Sequence, residues 1–543
     1  MQTPSKASPA TTANTARERV GSRRLPAGPS ARLVWLMILG TAVVAGGLVW
    51  ANTRWGVGLR GDSFAYISGA RNLSTGLGYS RISGGGEVKP LTHFPPLLSI
   101  VLAGAELVGW DAVPAARTLA IALMAVNTLL AGALGCQILG RPWAGVVSAV
   151  LFGLNPLFVD VHSWAMAEPL FITLTFGMLW TLARAAGDSS ARRAFLPGLL
   201  AGLAFLTRYV GAAGIGAGMA TFLWPPRGAS ARFRAALAFL TASLLLVGAW
   251  LLRNVWVSGT SANRLMTWHP IEASRLLEAG ATFAAWVLPD AFVAAHAWLS
   301  WIGGLVGIGI LILAAVIVLR RQDDPAAERS HSDLARALAW FILAYVGVLI
   351  GNLLLLDSST PLDARILSPM LAALVPMAAA WLVRGWSRGR TWTRSLTAIL
   401  ALLLLAGFAT DGRQLLDQGW LRGWGFSHRT WQSSALLQAV RDLPPITIYT
   451  NEPDLIYFHT GRPSYIVFGS IDPVTGLPRQ GYDEWLNLAK DTLAGGRAAL
   501  VLVNYERLLA DPGDRVMVDV LSEGLENAVT YADGVILTAG GQP

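Results

Sequence analysis

Hydrophobic residues in this chain are gathered into long runs, and short arginine-rich segments separate the runs. About 20 consecutive apolar residues form a helix long enough to cross the hydrocarbon core of a bilayer. The pattern predicts eleven membrane helices, two of which are short helices within residues 195–224 that meet at Arg208. The predicted ranges are 33–50, 115–139, 143–159, 169–186, 195–224 (two helices), 235–252, 299–319, 336–356, 366–383 and 395–410.

The pattern changes after residue 411, where charged and apolar residues begin to alternate over short distances. Residues 412–543 hold 10 Lys+Arg and 15 Asp+Glu, so their net charge is −5. The whole chain has a net charge of +9, so residues 1–411 carry +14. This predicts a membrane domain at 33–411 and a separate soluble α/β domain at 412–543. The predicted strands are 446–450, 464–468, 498–503 and 534–538, and the predicted helices are 483–494 and 515–523.

Composition supports a polytopic α-helical membrane protein. Of the 543 residues, 53% are hydrophobic and 14% are charged, whereas soluble domains have about 25% charged residues. These values exclude a disordered protein, a collagen-like fibre and an ordinary cytosolic enzyme. The single cysteine, Cys136, excludes a disulfide framework. The basic residues lie in loops between apolar runs, which favours membrane topology over nucleic-acid binding as their explanation.

The distribution of basic residues also predicts an orientation. Residues 1–32 are rich in Ser, Thr, Pro, Ala and Arg, and we expect a disordered, cytoplasmic N-terminus. If residues 95–110 form a surface helix and not a span, most Lys and Arg before residue 412 face the cytoplasm, as the positive-inside rule requires. The loops 51–114 and 253–298 and the C-terminal domain are then extracytoplasmic. The Arg-, Ala- and Gly-rich composition suggests a bacterial plasma membrane.

Two acidic residues lie at predicted outer ends of membrane helices. Asp62 follows the first span and precedes a helical run in which Tyr66 lies on the same face. Glu168 opens the fourth span, before Pro169. Each residue could instead have a purely structural role. Asp62 could cap its helix, and the negative charge of Glu168 could interact favourably with the helix dipole. Chemically, the pair could serve as a general base and its orienting partner.

Three arginines occur at the same predicted side of the membrane. Arg208 interrupts an apolar stretch, Arg253 closes the seventh span, and Arg365 opens the tenth. An arginine near lipid is costly unless it has a partner or a function. Snorkelling or pairing with nearby carboxylates is the structural alternative. A phosphate group suits the two-pronged guanidinium and would explain several such arginines together.

Further candidate ligand contacts are His93 and Asp160. Asp160 and His162 are two residues apart, which is a poor spacing for a metal without other ligands. The sequence contains no HExxH, DxD or CxxC motif. We therefore expect no obligatory metal held by the protein and no other cofactor.

Taken together, short segments resemble the membrane glycosyltransferases of the GT-C fold. The chain is most similar to the group that contains the protein O-mannosyltransferases and the aminoarabinose transferases of lipid A. The matching segments run in the family's order: 62–66, 70–73, 76–79, 93–97, 167–171, 202–208, 250–254 and 365–369, with 449–453 and 460–462 in the C-terminal part.

The resemblance implies an enzyme that moves a sugar from a polyprenyl-phosphate carrier to an extracytoplasmic lipid, glycan or protein. It implies that Asp62 is the catalytic base, that transfer inverts the anomeric carbon, and that residues from Pro95 form a juxtamembrane helix. Ser63 stands where many relatives have a second acid, and Phe94 where others have lysine. The residue that binds the donor phosphate therefore stays open between Arg208 and Arg365.

Other functions remain as alternatives. A transporter or lipid flippase would also have many spans and buried arginines, but would show inverted repeats and broken helices at the bilayer midplane. A non-enzymatic scaffold would use the spans only as anchors for the C-terminal domain. A polymerase or ligase of surface polysaccharide would still be a glycosyltransferase.

Overall fold

The structure is a computed structural model that describes residues 31–84, 86–188, 190–224, 229–262, 266–320, 326–471, 477–510 and 512–540. Of the segment 1–32, expected to be disordered, residues 1–30 lie outside these ranges, and residues 31 and 32 begin the first helix.

Helices make up most of the described chain up to residue 421, with a 3₁₀ turn at Tyr209–Gly211. They are α1 (Ala31–Asn52), α2 (Gly61–Ser74), α3 (Leu97–Glu106), α4 (Ala112–Leu139), α5 (Pro142–Gly153), α6 (Pro156–His162), α7 (Glu168–Asp188), α8 (Ala191–Phe205), α9 (Ala212–Leu223), α10 (Ala229–Ser258), α11 (Ala273–Ala285), α12 (Asp290–Ala295), α13 (Leu299–Leu319), α14 (Ala326–Leu355), α15 (Ala364–Arg388) and α16 (Thr391–Leu421).

The described ranges contain eight helices that are long and apolar enough to cross a membrane, namely α1, α4, α7, α10, α13, α14, α15 and α16. The pair α5 and α6 would be a ninth span. The chain is a multi-pass membrane protein. The count of eleven stays a prediction, because α8 and α9 have 15 and 12 residues, fewer than the roughly 20 that a span needs.

The run predicted as one span at 143–159 is bent by 59° between α5 and α6. Pro156 is the first residue of α6, where its missing N–H costs no helical hydrogen bond. The side chain of Asn155 accepts a hydrogen bond from the N–H of Leu157 at 3.0 Å and caps the new helix. Asn155-Pro156 is a turn signal in the sequence, but the length of the run favoured a single span.

Helix α3 corresponds to the segment 95–110 that was expected to lie at the surface. Its 10 residues extend about 15 Å, which is half of the hydrocarbon thickness. Leu98 and Leu102 pack against Tyr66 and Ala70 of α2. The two short helices therefore form one packed unit next to the membrane helices.

The main core lies among the membrane helices and is rich in aromatic side chains. Phe152 stacks on Phe158 with ring centroids 4.0 Å apart, and Phe176 meets Phe152 edge-on at 5.7 Å. All three side chains are buried, as is Tyr345 of α14. This core fixes the ends of α7, α14 and α15 relative to one another.

Two sheets complete the described elements. A hairpin of β1 (Ser80–Ser83) and β2 (Glu87–Pro90) follows α2. The C-terminal part contains a five-stranded sheet with the order β4-β3-β5-β7-β6 and six helices. Its elements are α17 (Arg429–Gln432), α18 (Ala435–Asp442), β3 (Thr447–Thr450), α19 (Pro453–Thr460), β4 (Tyr465–Ile466), α20 (Tyr482–Ala494), β5 (Ala498–Val503), α21 (Tyr505–Ala510), α22 (Pro512–Ser522), β6 (Asn527–Tyr531) and β7 (Gly534–Thr538).

The mixed α/β character of the C-terminal part is confirmed. Strands β3, β4, β5 and β7 and helices α20 and α22 lie where the sequence predicted them. Strand β3 pairs in parallel with β4 and β5, whereas β7 pairs antiparallel with β5 and β6. Strand β5 is buried on both faces, with Leu500 in one apolar cluster and Val501 in the other. The sheet is therefore covered on both sides.

Helix α16 runs from the membrane helices past the predicted domain boundary at 411–412 and ends at Leu421. The chain that follows contacts the segment before α2. The N–H of Phe426 donates to the carbonyl of Leu59 at 2.9 Å, and Ser427 Oγ donates to the carbonyl of Val57 at 2.7 Å. These bonds attach the C-terminal part beside the helix that carries Asp62.

Candidate active site

Helix α2 carries Asp62 in its first turn, where a negative charge interacts favourably with the helix dipole. The helix begins after Arg60, whose N–H donates to Ser63 Oγ at 3.2 Å. Asp62 is therefore not the capping residue, and the structural alternative considered for it is wrong. Its carboxylate points instead at a basic side chain from α15.

Four predicted residues meet in one ionic network. Arg365 Nη1 lies 3.0 Å from Asp62 Oδ2 and 3.3 Å from Glu168 Oε1. Arg208 Nη1 also contacts Glu168 Oε1. These side chains come from the first turns of α2, α7 and α15 and from the break between α8 and α9. We refer to Asp62, Glu168, Arg208 and Arg365 as the charged network.

The two acids of the charged network differ in accessibility. The Glu168 side chain is 1% exposed, whereas that of Asp62 is 38% exposed. Arg208 and Arg365 are intermediate, at 18% and 22%. An incoming molecule can therefore touch Asp62 and the arginines, but it cannot reach Glu168 without displacing them.

Two polar atoms of the charged network are buried and have no hydrogen-bond partner within the described residues: Glu168 Oε2 and Arg365 Nε. A buried polar group without a partner costs about 1–3 kcal/mol. The network is therefore incompletely satisfied, and the Nε–H of Arg365 is an available donor.

Buried tyrosines lie beside the network. Burial raises the pKa of Tyr66, and the charges of Arg208, Glu168 and Asp62 act on its hydroxyl. The Tyr66 ring meets that of Phe94 edge-on, 5.5 Å away. Tyr345 donates to the carbonyl of Ile366 at 2.5 Å. Both tyrosine side chains are therefore buried next to the charged network.

Arg60 is a neighbour that sequence reasoning missed, although it lies only two residues before Asp62. Its guanidinium lies 3.8 Å from the centre of the Trp164 ring, a cation–π contact. Trp164 in turn donates from Nε1 to Asp160 Oδ1 at 3.1 Å. Burial lowers the pKa of Arg60, the positive charge of Arg365 acts in the same direction, and nearby Asp160 and Asp62 oppose the shift.

Arg253 and His93 lie apart from the charged network. Arg253 donates to the carbonyls of Leu91 at 2.5 Å and Tyr79 at 2.9 Å, at the two ends of the β1–β2 hairpin. The ring of His93 meets that of Phe94 edge-on at 4.9 Å. The bonds of Arg253 therefore hold backbone, and the ring of Phe94 lies between His93 and Tyr66.

The C-terminal part adds a carboxyl group that sequence reasoning did not identify. A β-carbon placed on Gly61 would lie 3.3 Å from Asp454 Oδ2. Burial raises the pKa of Asp454 to about 7, with Glu452 and Asp62 adding to the shift and Arg81 opposing it. The signal in the sequence was weak, because Asp62 and Asp454 are nearly 400 residues apart.

Among the described residues, no group of three or more His, Cys, Asp or Glu side chains could hold a metal ion. Both ring nitrogens of His162 are occupied: Nε2 is 3.0 Å from Asn127 Nδ2, and Nδ1 is 2.7 Å from the carbonyl of Phe158.

Residues 93–252 match a family described as dolichyl-phosphate-mannose-protein mannosyltransferase. This range includes Glu168 and Arg208 of the charged network but neither Asp62 nor Arg365. No curated protein matches the chain.

Among solved structures, the chain is similar to the arabinofuranosyltransferase AftD from Mycobacteria, with 16% identity and a TM-score of 0.54 over 95% of this chain and 40% of that one. It is also similar to the archaeal oligosaccharyltransferase AglB from Archaeoglobus fulgidus, in complex with an inhibitory peptide and a dolichol-phosphate. The identity is 11% and the TM-score 0.51, over 93% of this chain and 74% of that one. The chain therefore has the GT-C fold that these proteins share.

A further similar structure is ArnT from Cupriavidus metallidurans, with 17% identity and a TM-score of 0.47 over 94% of this chain and 100% of that one.

Proposed function

We propose that the protein is an inverting glycosyltransferase that moves a sugar from a polyprenyl-phosphate carrier to a hydroxyl group of a lipid, glycan or protein. The GT-C fold, shared with AglB in its complex with a dolichol-phosphate, supports this proposal. The observation that carries it is the charged network, in which Arg365 joins the partly exposed Asp62 to the buried Glu168.

In the proposed reaction, Asp62 is the general base. Its carboxylate takes the proton of the acceptor hydroxyl while that oxygen attacks the anomeric carbon of the sugar. The bond between the anomeric carbon and the phosphate oxygen breaks on the opposite face, so the configuration inverts. The electron pair of that bond leaves with the carrier phosphate. Asp62 suits this role because it is the accessible acid of the network.

Arg365 is the proposed ligand of the carrier phosphate. Its Nε–H has no partner in the described part of the chain, and a guanidinium can offer two parallel donors to phosphate. Arg208 contributes positive charge from the other side of Glu168 and stabilises the leaving phosphate. Glu168 is a positioning residue, because it holds both arginines from a buried place.

The remaining predicted site residues have supporting roles in this proposal. Tyr66 and His93 pack around Phe94 and shape the wall of the site. Arg253 fixes the ends of the hairpin that follows α2. Asp160 lies on the side of Arg60 and Trp164, away from the break at Arg208.

We also propose that the charged network and the C-terminal domain face the outside of a bacterial plasma membrane, with a cytoplasmic N-terminus. Three arguments support this orientation: the excess of Lys and Arg in the opposite loops, the contact of Asp454 with Gly61, and the backbone bond between Phe426 and Leu59. The last two join the domain to the end of the bundle that holds Asp62.

A transfer assay with Asp62→Asn tests the function. Membranes that contain the full chain are given a labelled polyprenyl-phosphate sugar, and loss of the base is expected to lower the rate by roughly 10²–10⁴-fold. Asp111→Asn is a matched control, because Asp111 pairs with Arg71 at 2.7 Å in the same loop region. Full activity of Asp62→Asn would refute the assignment. Wild-type membranes inactive with every polyprenyl-phosphate sugar supplied would refute the function.

A further inference from the structure

A cavity of about 240 Å³ lies between α6, the end of α11, the start of α12 and the outer part of α16. Apolar side chains form much of its wall. Its polar lining includes three carboxylates and two tryptophans: Asp160, Asp290, Asp411, Trp286 and Trp424. None of the four residues of the charged network lines it. The cavity is therefore a compartment distinct from the charged network.

The two tryptophans of this cavity have unused hydrogen-bond donors. Trp286 is 8% exposed, and its Nε1–H is buried without a partner in the described ranges. The Nε1–H of Trp424 is also buried and also has no partner in the described ranges. A buried indole N–H usually finds an acceptor, and both of the tryptophans that line this cavity lack one in the described ranges.

The carboxylates present the opposite requirement, because an ionised carboxylate only accepts hydrogen bonds. The N–H of Asp290 donates to Asp411 Oδ2 at 3.2 Å, which places two acids side by side. Burial raises the pKa of Asp290, and the negative charges of Asp411 and Asp160 act in the same direction. An anionic ligand would meet repulsion here, whereas a ligand with hydrogen-bond donors would be stabilised.

We propose that this cavity binds the hydroxyl-bearing sugar part of the acceptor substrate, an inference that rests on the proposed transferase function. A sugar hydroxyl both donates and accepts, so it can satisfy the carboxylates and the indole N–H groups together. An ammonium ion donates only and would leave Trp286 and Trp424 unpaired. The indole rings also offer flat apolar faces for the C–H groups of a sugar.

The position of the cavity suits an acceptor. Ala364, which lines it, directly precedes Arg365 of the charged network. Asp160 and Trp164 connect its wall to Arg60, two residues before Asp62. A ligand in the cavity would therefore lie near the charged network, with Trp164 and Arg60 between it and Asp62, whereas the carrier phosphate would lie with the arginines.

A mostly apolar cavity of about 390 Å³, with Arg413 and Asp417 also in its lining, adjoins this compartment and shares Pro156, Phe408 and Leu415 with it. An acceptor sugar could thus be a free glycan or the headgroup of a glycolipid whose chain enters the second cavity. Both sources present the same hydroxyl chemistry to the tryptophans and carboxylates.

Binding of simple sugars to the full chain in lipid nanodiscs tests the inference without any transfer step. The probes are the methyl glycosides of mannose, galactose and arabinose, with ethylammonium as the cationic comparison, followed by saturation-transfer NMR. At least one glycoside is expected to bind the wild type. Trp286→Phe and Trp424→Phe keep the ring but remove the donor, and each is expected to weaken binding about 3- to 10-fold.

Trp340→Phe is the matched control, because Trp340 of α14 also has a buried Nε1–H without a partner in the described chain but does not line this cavity. It should leave binding unchanged. Binding of none of the glycosides overturns the inference, as does equal binding to the wild type and both tryptophan variants. Binding of ethylammonium in place of the glycosides also overturns it.

Transfer kinetics then separate this inference from the proposed function. Trp286→Phe is expected to raise the KM for a glycan or glycolipid acceptor and leave the KM for the donor unchanged. A raised donor KM would assign the cavity to the donor sugar and overturn the inference. Asp62→Asn should abolish transfer but bind the glycosides like the wild type. Transfer activity therefore tests the role of Asp62, and glycoside binding separately tests the role of the cavity. Comparing free glycan with glycolipid acceptors distinguishes the two sources.

Discussion

Asp454 of the C-terminal part lies directly against Gly61, the residue before Asp62: a β-carbon on Gly61 would be 3.3 Å from Asp454 Oδ2. The contact is reinforced by Phe64, whose ring meets those of Tyr457 and Phe458 edge-on at 5.3 and 5.8 Å. Helix α19 therefore packs on the first turn of α2. The C-terminal part is thus structurally coupled to the proposed base.

This contact predicts a pH dependence of stability. Burial raises the pKa of Asp454 to about 7, with Glu452 and Asp62 adding to the shift and Arg81 opposing it. Between about pH 4 and pH 7 the folded protein keeps a proton that the unfolded chain has released, so this group makes stability fall as pH rises through that window. Above pH 7 both states are deprotonated and the contribution is constant.

Asp454→Asn should remove that dependence, since the amide does not ionise. At pH 8 the variant is expected to gain about 2–4 kcal/mol over the wild type, and at pH 5 the difference should be much smaller. Thermal unfolding of the purified full chain at both pH values measures it. Asp519→Asn, at an exposed carboxylate on α22, should keep the wild-type trend. Parallel pH curves for wild type and Asp454→Asn would contradict the prediction.

The ion pair between the buried Glu168 and the partly exposed Arg208 predicts a strong coupling. Glu168→Gln leaves Arg208 without its counter-charge, and removing one partner of a buried ion pair costs about 3–5 kcal/mol, an upper bound here because Arg208 is 18% exposed. A neutral double variant, Glu168→Gln with Arg208→Gln, removes both charges and should recover much of the lost stability without recovering transfer activity. A double-mutant cycle on unfolding temperature checks this. Additive effects of the two substitutions would show that the pair does not act as a unit.

The sequence predicted the members of the charged network better than their pairing. Topology placed Asp62, Glu168, Arg208 and Arg365 at one side of the membrane, because each flanks or breaks an apolar run. The bond between Asp62 and Arg365 joins residues 303 positions apart, and no periodicity along the chain reports such a contact. Which carboxylate each arginine takes depends on how the helix ends converge.

Other structural features were not predicted from the sequence, each for a local reason. Strand β6 (Asn527–Tyr531) is an exposed edge strand, so it lacks the continuous buried run that identifies strands β3 and β5. The bend at Asn155 lies inside a run of the length expected for one span, although Asn155-Pro156 is itself a turn signal. The position of Arg253 at the end of a span makes it a candidate for phosphate binding, and the sequence gives no sign that its donors reach carbonyls that flank a hairpin more than 150 residues away.

Arg253 and Arg365 should respond differently to the same substitution. Arg253 reaches the carbonyls of Leu91 and Tyr79 through two separate nitrogens of its planar fork. Arg253→Lys replaces that fork with a single nitrogen, so we expect a loss of about 1–2 kcal/mol in stability with kcat within a few-fold of wild type. Arg365→Lys loses the planar fork at the proposed phosphate site, and a loss of at least about tenfold in kcat is expected. Unfolding temperatures and initial transfer rates of both variants test the contrast. Equal losses of kcat would remove the distinction.

At the junction between the membrane helices and the C-terminal part, we predict that position 425 accepts only glycine. Gly425 has φ +54°, and its backbone pairs with Leu59 just before Arg60 and Asp62. A β-carbon there would overlap the carbonyl oxygen of Leu59 and lie 2.8 Å from the Trp164 ring. Gly425→Ala must therefore strain the backbone and also push the segment that leads into α2.

Gly496 is a control that separates backbone strain from steric overlap. It has φ +66°, but nothing lies within 4 Å of an added β-carbon. Gly496→Ala should cost only the left-handed conformation, about 1–2 kcal/mol, and leave transfer unchanged. Gly425→Ala should cost about 1–3 kcal/mol more through overpacking and should also lower the transfer rate, because Leu59 is displaced three residues before the proposed base. Matching losses of stability in the two variants, with normal transfer in both, would show that the junction does not position Asp62.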